Sequence, residues 1–178
     1  MHFSLVIFDC DGVLVDSEPI ANRVLAAYVT ELGRPMTTEE SIRIFVGHTM
    51  PEVAQIAGDY LGRPAPVDFL DELQRRSEKA FERELKPIPG IEELLSMLRV
   101  PFCVASNGTL AKMRSTLGVT GLLPQFEAHM LVRLHTVVNF STIAPGEANV
   151  RINGATRFEI IAVCFMYSCF CFGVRPFG

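Results

Sequence analysis

Two aspartates and a glycine stand where a short apolar run ends, near the beginning of the chain. Asp9 and Asp11 follow residues 5–8, and Gly12 comes next. One carboxylate of such a pair can attack phosphorus while the other moves the proton, because covalent catalysis divides one difficult displacement into two easier ones. Gly12 lets the backbone approach an anion closely, and successive N–H groups of such a loop form a concave anion site. The alternative, a loop whose acids only cap the next helix, is the commoner meaning of Asp-x-Asp-Gly alone.

Two apolar runs predict the strands that carry these side chains. Residues 5–8 are β-branched, aromatic or leucine, which predicts a strand buried on both faces of a parallel sheet. Residues 100–105 predict a second strand, and Ser106 and Asn107 follow it directly. Open α/β sheets place their ligands at this carboxyl edge. An ordinary strand-to-helix turn is the alternative for Ser106 and Asn107, since both residue types are common helix caps.

Helical periodicity separates the two strands. Apolar stripes predict four helices between residues 16 and 86, so this segment reads as a small all-helical unit. Thr37 and Glu40 have the spacing of a capping box. Further helices are predicted over residues 91–98 and 109–117, the second with Gly118 as its stop. The predicted fold class is α/β, with a helical insertion after the first strand.

A longer string around the acid pair resembles a known family. Residues 8–18, Phe-Asp-Cys-Asp-Gly-Val-Leu-Val-Asp-Ser-Glu, closely resemble the first motif of the haloacid dehalogenase (HAD) superfamily of phosphohydrolases. Residues 87–95 resemble the return from cap to core in that superfamily, and residues 104–108 resemble its second motif. The branch with a helical cap after the first strand includes phosphoglycolate-type and sugar-phosphate phosphatases and β-phosphoglucomutase.

The resemblance implies a division of the chain. A Rossmann-like HAD core with a parallel sheet would comprise residues 1–15 and 87–128, and residues 16–86 would form the helical-bundle cap. Residues 129–178 would be an atypical C-terminal segment, which leaves the C-terminal part of the core atypical or incomplete.

The same resemblance implies roles for individual residues. Asp9 would be the nucleophile that forms an aspartyl-phosphate, and Asp11 would protonate the leaving oxygen and then activate water. Gly12, Ser106 and Asn107 would bind the phosphoryl group. Mg²⁺ would be held by the Asp9 carboxylate and the Asp11 main-chain carbonyl, and would neutralise charge on the phosphate oxygens. The dehalogenase branch lacks an acid at the position of Asp11, so ester hydrolysis is favoured over carbon–halogen cleavage.

Three further residues are candidates for substrate specificity. His48 and Thr49 fall where family members carry a cap loop that contacts substrate, although a solvated loop is an equal alternative for the histidine. Lys112 either faces the phosphate, six residues after Ser106, or lies on the exposed side of a helix. For Lys112 we favour the exposed position.

The C-terminal segment departs from the family pattern. A third-motif lysine and a fourth-motif acid are expected, yet no lysine follows Lys112 and no aspartate follows Asp71. Residues 129–178 hold three of the five cysteines and no Asp or Lys. Our hypothesis is that this segment does not descend from the family's core. The three cysteines fit no zinc pattern with His129 or His135, so we interpret them as core or incidental residues.

Composition excludes several classes of protein. With 49% hydrophobic and 20% charged residues the chain is globular. A net charge of −4 without a basic run predicts no binding to nucleic acid or membrane. Residues 160–174 are uncharged but fall short of the roughly 20 apolar residues of a membrane span. Five cysteines without a disulfide framework or a signal segment lead us to expect a cytoplasmic protein. Oligomeric state stays open.

These observations favour a Mg²⁺-dependent phosphatase of a small phosphorylated metabolite, such as a sugar or sugar-acid phosphate. A phosphomutase of the β-phosphoglucomutase type would use the same Asp9 and Asp11 but would return the phosphoryl group. A catalytically incompetent remnant, which binds phosphate or a partner, is favoured by the missing lysine and acid. A receiver domain is weaker, because it has no place for a helical insertion after its first strand.

Overall fold

A parallel sheet forms the centre of the fold. The computed structural model describes residues 5–106, 109–127, 130–132 and 160–163, the last two segments as backbone only. Its strands are β1 (Leu5–Asp9), β2 (Phe102–Ser106), β3 (Met130–Val132) and β4 (Ile160–Val163). They lie in the order β3-β2-β1-β4, and every pair is parallel. The predicted α/β class with a parallel sheet is therefore confirmed.

Seven helices complete the described part of the chain. They are α1 (Glu18–Glu31), α2 (Thr38–Phe45), α3 (Met50–Leu61), α4 (Phe69–Glu84), α5 (Ile91–Met97), α6 (Leu110–Val119) and α7 (Leu123–Phe126). The predicted capping box is present: Glu40 N donates to Thr37 Oγ1 and Thr37 N donates to Glu40 Oε2. The predicted stop at Gly118 is wrong. Helix α6 continues to Val119, and the left-handed turn is taken by Gly121 at φ 75°.

The sheet packs on a core of its own. Phe8 and Phe126 are fully buried, and their rings meet edge to face with centroids 6.2 Å apart. Phe102 approaches Phe126 in the same manner at 5.3 Å. Edge-to-face pairs add stabilisation beyond the apolar area that they bury. This cluster fixes the end of β1 against the helices that follow β2.

Helices α1 to α4 enclose a second hydrophobic cluster. Tyr28 stacks on Phe69 with ring centroids 5.1 Å apart, and Phe45 is fully buried beside them. A buried hydrogen bond from Ser41 Oγ to Asn22 Oδ1, 3.0 Å long, joins α2 to α1. Burial of that polar pair is tolerated because the donor and the acceptor satisfy each other. We call helices α1 to α4 the helical unit.

Two chain segments connect the helical unit to the sheet, and they run side by side. Asp16 N donates to Lys86 O at 3.0 Å, and Ile88 N donates to Leu14 O at 2.9 Å. Val15 forms an antiparallel bridge with Pro87 between them. We call this pair of segments, residues 14–16 and 86–88, the neck. The neck brings the beginning and the end of the helical insertion to one place.

Two short strands belong to the segment after residue 128. Met130 pairs with Val104 at one side of the sheet, and Val163 pairs with Phe8 at the other. Most of residues 129–178 lie outside the described residues, so the hypothesis about the origin of this segment stays a prediction. Among the described residues, no helix combines the length and the apolar character that crossing a membrane requires.

Candidate active site

The acid pair lies at the carboxyl end of the sheet. Asp9 is the last residue of β1 and pairs in register with Ala105, so Ser106 ends the neighbouring strand next to it. The chain then turns tightly, because Leu14 N and Val15 N both donate to Cys10 O, at 3.0 and 3.2 Å. Side chains that are far apart in the sequence meet at this edge, as expected where parallel strands end.

Gly12 makes the turn after Asp11 possible. Its φ of 72° lies in the left-handed region, which costs a residue with a Cβ atom about 1 kcal/mol or more. Gly12 N donates to Val15 O at 2.9 Å and closes the loop. The loop thereby returns Ser17, the residue before α1, to the side chain of Asp11.

Asp11 is buried, and both of its carboxylate oxygens accept hydrogen bonds. The residue is 3% exposed. Ser17 Oγ donates to Oδ1 at 2.9 Å, and Lys112 Nζ donates to Oδ2 at 3.0 Å. Donors on both oxygens fix the orientation of this carboxyl group. Sequence reasoning did not find Ser17, because nothing local shows that a residue before a helix will bond back to the preceding loop.

Lys112 lies at the site and not on an exposed helix face. Its side chain is 18% exposed and forms an ion pair with Asp11. Helix α6 begins directly after Thr109, whose hydroxyl accepts from Lys112 N at 3.1 Å, so Lys112 occupies the first turn above the end of β2. The exposed position that we favoured is wrong, because the long side chain reaches back from this turn to Asp11.

Asp9 and Ser106 are the other described site residues at the carboxyl end of the sheet, which we call the acid-pair edge. Asp9 is half-buried, and its Oδ1 accepts from Cys10 N at 2.7 Å, a short charge-assisted hydrogen bond. Ser106 is buried at the end of β2. Asn107, the other predicted phosphate-binding residue of this turn, lies outside the described residues.

The two residues of the candidate specificity loop, His48 and Thr49, make hydrogen bonds that stabilise the start of α3 and the turn before it. Thr49 is the N-cap of α3, where its backbone N and its Oγ1 each lie 2.8 Å from Glu52 Oε2 and donate to it. His48 is half-buried, and its N donates to Phe45 O. Neither residue lines the two cavities described next, whereas Met50 lines the first. Their predicted role in specificity stays a prediction.

Two cavities adjoin Asp11 and Gly12. The first, about 50 Å³, lies between the acid-pair edge and the helical unit, and a second of about 370 Å³ opens beside the neck. Residues of α4 line the first cavity together with Asp11 and Lys112: Leu73, Gln74, Ser77, Glu78 and Phe81. The end of the sheet that carries Asp11 and the helical unit therefore border one cleft.

Glu18 lines both cavities and was not singled out from the sequence. Its Oε1 is buried and has no hydrogen-bond partner among the described residues. Burial raises the pKa of this carboxyl, and the nearby charges of Asp11 and Asp16 raise it further. Glu18 is thus an acid whose ionised form is disfavoured at the mouth of the site.

Cys10 separates the two acids but is no candidate nucleophile. Burial raises the pKa of its thiol well above the usual value, and the neighbouring carboxylate of Asp11 raises it further. A protonated thiol is a poor nucleophile, because the thiolate is the reactive form. The carboxylates therefore remain the candidate reacting groups of this edge.

The donors at this edge suit a hard cation. No group of three or more His, Cys, Asp and Glu side chains gathers at one point in the described part of the chain. Mg²⁺ prefers oxygen ligands and is usually held by one or two carboxylates together with waters and substrate phosphate. The Asp9 carboxylate and the Asp11 main-chain carbonyl are oxygen donors of this kind, so their chemistry fits the ion that the sequence implies.

The fold and the acid pair define an α/β protein with two carboxylates at the end of its first strand. Residues 6–134 match the haloacid dehalogenase-like hydrolase family. This match spans well over half of the chain, and the chain belongs to that family. The family resemblance read from residues 8–18 is therefore confirmed.

Known proteins similar to this chain are longer than it is. The 6-phosphogluconate phosphatase of Escherichia coli K12 is 34% identical over 122 residues, which cover 68% of this chain and 55% of that protein. A haloacid dehalogenase-like protein of unknown function from Agrobacterium tumefaciens has a TM-score of 0.67 at 36% identity. The match covers 74% of this chain and 59% of the Agrobacterium tumefaciens chain. A HAD family hydrolase from Deinococcus radiodurans has a TM-score of 0.61 at 32% identity, and its crystal structure contains bound phosphate and sodium. The match covers 73% of this chain and 58% of the Deinococcus radiodurans chain. The chain thus spans little more than half the length of these relatives.

Proposed function

We propose that this protein hydrolyses phosphoric monoesters of a small metabolite, a sugar or sugar-acid phosphate, through an aspartyl-phosphate on Asp9. The observation that carries the proposal is the meeting of Asp9, Asp11, Ser106 and Lys112 at one edge of the sheet, next to a cleft shared with the helical unit. The name of the Escherichia coli relative supports the substrate class, and the phosphate bound in the Deinococcus radiodurans relative supports the phosphoryl site.

The proposed reaction has two displacements at phosphorus. A carboxylate oxygen of Asp9 attacks the phosphoryl group, and the ester P–O bond breaks while the leaving oxygen takes a proton from Asp11. Water then attacks the aspartyl-phosphate and gives its proton to Asp11, which restores Asp9 and releases inorganic phosphate. Two displacements with a shared acid and base have lower barriers than one direct attack by water.

The surroundings of the two acids suit different roles. The Cys10 amide fixes the Asp9 carboxylate at the strand end, where a half-buried oxygen can still meet a substrate. Asp11 is buried between Ser17 and Lys112, which restrict its rotation. An acid held in this way can give and take a proton without moving far, which is the requirement for general acid and base catalysis.

The proposed function includes a divalent cation, which we assign as Mg²⁺. The Asp9 carboxylate and the Asp11 main-chain carbonyl would hold it. When bound, such an ion neutralises negative charge on phosphate oxygens and helps to orient them. The helical unit acts in this proposal as the cap, since its α4 side chains line the cleft above the acid pair.

The test compares phosphate release by the wild type with release by Asp9→Asn, in the presence of Mg²⁺. The substrates are p-nitrophenyl phosphate and a panel of sugar and sugar-acid monophosphates. We expect release by the wild type and a loss of at least about 10³-fold in Asp9→Asn, because removal of a nucleophile leaves only binding and electrostatic effects. Asp59→Asn, which changes an exposed carboxyl on α3, is the matched control.

Acid quench during turnover should leave a phosphoryl adduct on Asp9, detectable by mass spectrometry after peptide digestion. Equal rates for the wild type and Asp9→Asn, without any adduct, would reject hydrolysis and favour the catalytically incompetent alternative. Formation of a sugar-phosphate isomer without release of phosphate would favour the mutase instead.

A further inference from the structure

Glu18 is the one described residue that lines both cavities of the site. It borders the first cavity together with Asp11, and it also borders the second cavity beside the neck. A phosphate ester whose phosphoryl group lies at the acid pair can therefore extend past Glu18 into the second cavity. Glu18 is thereby placed to contact the part of the substrate that does not react.

The second cavity has room for that part of a small metabolite. Its volume of about 370 Å³ lies within the range of roughly 300–1,000 Å³ that is usual for small-molecule sites, whereas the first cavity, at about 50 Å³, is far below it. Ile42 and Val46 contribute apolar surface to the second cavity, and the loop after β1 and the first turn of α1 contribute polar groups. Such a mixed lining suits a sugar, which presents both C–H faces and hydroxyl groups.

The carboxyl group of Glu18 brings an unused hydrogen-bond acceptor to this place. Its Oε1 is buried and has no hydrogen-bond partner among the described residues. An unpaired buried acceptor is unfavourable and uncommon in native proteins. Asn22, a buried polar neighbour on the second cavity, already bonds within the protein, because its Nδ2 donates to Glu18 O and its Oδ1 accepts from Ser41 Oγ. A donor on a bound molecule would satisfy Glu18 Oε1.

The charges around the second cavity favour one kind of donor. The charged side chains among its described lining residues are Asp16 and Glu18, and both are acids. The carboxylate of a sugar acid would meet like charge there, and it could offer acceptors only. A hydroxyl group carries no charge and can donate a hydrogen bond to Glu18 Oε1.

We propose that Glu18 is a specificity-determining residue whose Oε1 accepts a hydrogen bond from a substrate hydroxyl, so that phosphates of neutral sugars or sugar alcohols are preferred over sugar-acid phosphates. The inference rests on the proposed function and narrows its substrate class. This preference differs from the sugar acid in the name of the Escherichia coli relative, a 6-phosphogluconate phosphatase. Asp11 and Glu18 then act on different parts of one substrate, the ester oxygen and the polyol.

The test uses two matched pairs of substrates that differ only in a terminal hydroxymethyl or carboxylate group. The pairs are glucitol 6-phosphate with 6-phosphogluconate, and erythritol 4-phosphate with 4-phosphoerythronate. We measure kcat/KM for each in the full chain with Mg²⁺, and Kd by titration calorimetry in the Asp9→Asn background, where the substrate is not consumed. The variants are Glu18→Gln, which removes the charge, and Glu18→Ala, which also removes the acceptor. Glu39→Gln, an exposed first-turn acid of α2, is the matched control.

We expect the wild type to prefer the neutral member of at least one pair by about 10-fold or more in both kcat/KM and Kd. Glu18→Ala should weaken binding of that neutral member about 10-fold, the loss typical of one hydrogen bond to a charged group. Glu18→Gln should reduce the preference by a similar factor, because the acidic member no longer meets the charge of Glu18. The loss for p-nitrophenyl phosphate, which has no hydroxyl group on its carbon skeleton, should be smaller, and Glu39→Gln should match the wild type.

Thermal melting shows which variants are folded, and Glu18→Gln decides the result if Glu18→Ala does not melt cooperatively. The inference is overturned if a folded Glu18 variant keeps the wild-type ratio between neutral and acidic members. It is also overturned if the wild type uses the acidic members equally well, or hydrolyses p-nitrophenyl phosphate but binds none of the four.

Failure of this inference is distinguishable from failure of the proposed function. Hydrolysis of phosphate esters without any dependence of the preference on Glu18 leaves the function standing and rejects the role of Glu18. A Kd preference for the neutral members that depends on Glu18, without release of phosphate from any ester, leaves the recognition role standing and rejects the enzymatic function.

Discussion

Ser17 occupies the N-cap position of α1, yet its hydroxyl donates to Asp11 Oδ1 at 2.9 Å and caps no helix N–H. A cap side chain commonly satisfies one of the first free N–H groups of a helix, which stabilises the helix by about 1 kcal/mol. Ser17 does not make this stabilising contact with the helix, and its hydroxyl instead orients the buried carboxylate of Asp11. Such an exchange of local stability for orientation is typical of a functional site.

Ser17→Ala is therefore expected to lower kcat for phosphate-ester hydrolysis by about 10-fold, with a loss of about 1 kcal/mol in the free energy of unfolding. The variant removes the Ser17 hydrogen bond to Asp11 Oδ1, so the carboxylate can rotate away from the leaving oxygen. Steady-state kinetics and urea unfolding measure the two effects. Ser96→Ala, on the exposed side of α5, is the control, and an unchanged kcat in Ser17→Ala would show that the Ser17 hydrogen bond does not orient Asp11.

Glu18→Gln is expected to stabilise the protein at neutral pH. The folded protein raises the pKa of Glu18 above its ordinary value of 4.5, so the folded state binds the proton of Glu18 more tightly than the unfolded state does. Stability is then lost as pH rises from about 4.5 through the raised pKa, and the glutamine removes this loss.

The expected gain in Tm for Glu18→Gln is about 1–2 °C at pH 7, a small value because Glu18 is only partly buried. No gain is expected below pH 4.5, where the carboxyl is protonated in both states. Calorimetric melting without added divalent cations measures the effect, and Glu39→Gln, an exposed first-turn acid of α2, is the control. A lower Tm at pH 7 would contradict the prediction.

Glu72 predicts the opposite pH dependence. Hydrogen bonds from Arg75 and Arg76 lower the pKa of Glu72 from 4.5 to about 2. A lowered folded-state pKa contributes stability above the unfolded value, and that contribution is lost as pH falls from about 4.5 toward about 2. Glu72→Gln should therefore lower Tm slightly at pH 7 and leave it unchanged near pH 2.

Exposure keeps the expected effect of Glu72→Gln small, since water and salt screen such ion pairs. Melting curves at several pH values measure it, and Glu82→Gln, on the same helix without a described ion pair, is the control. Addition of salt at pH 7 should reduce the difference between Glu72→Gln and the wild type. A difference that persists at pH 2 would contradict this explanation.

Phe126→Ala is expected to destabilise the sheet core by about 3–5 kcal/mol, because it opens a cavity between two aromatic neighbours. Phe126 is fully buried and contacts the rings of Phe8 and Phe102 edge to face. Denaturant unfolding measures the loss. Leu94→Ala, at a position 43% exposed, should change stability by no more than about 0.5 kcal/mol. Similar effects of the two substitutions would show that this aromatic cluster does not form.

Local patterns predicted the parts of the fold that local physics determines. The apolar run before Asp9 predicted β1, and Thr37 with Glu40 predicted the start of α2, because strand burial and helix capping depend on residues close in the chain. The end of α6 was misplaced, since glycine is only one way to end a helix and the left-handed turn came at Gly121.

The candidate site was predictable in its residue types more than in its contacts. Asp9, Asp11 and Ser106 were found because Asp9 and Ser106 end strands and Asp11 lies two residues after Asp9. The pairing of Lys112 with Asp11 joins residues 101 positions apart, and helical periodicity says nothing about where a long side chain reaches. Ser17 and Glu18 became notable only when the loop after β1 folded back and buried their oxygen atoms.

The neck joins the helical insertion to the sheet at one place. Its entry and its exit are held side by side by hydrogen bonds from Asp16 to Lys86 and from Ile88 to Leu14. Because these two ends adjoin, a change in the length of the insertion need not move either of them. The sheet that holds Asp9 and the helical unit that borders the cleft are thus joined through one junction, so a change in size of the unit is absorbed at a single place in the fold.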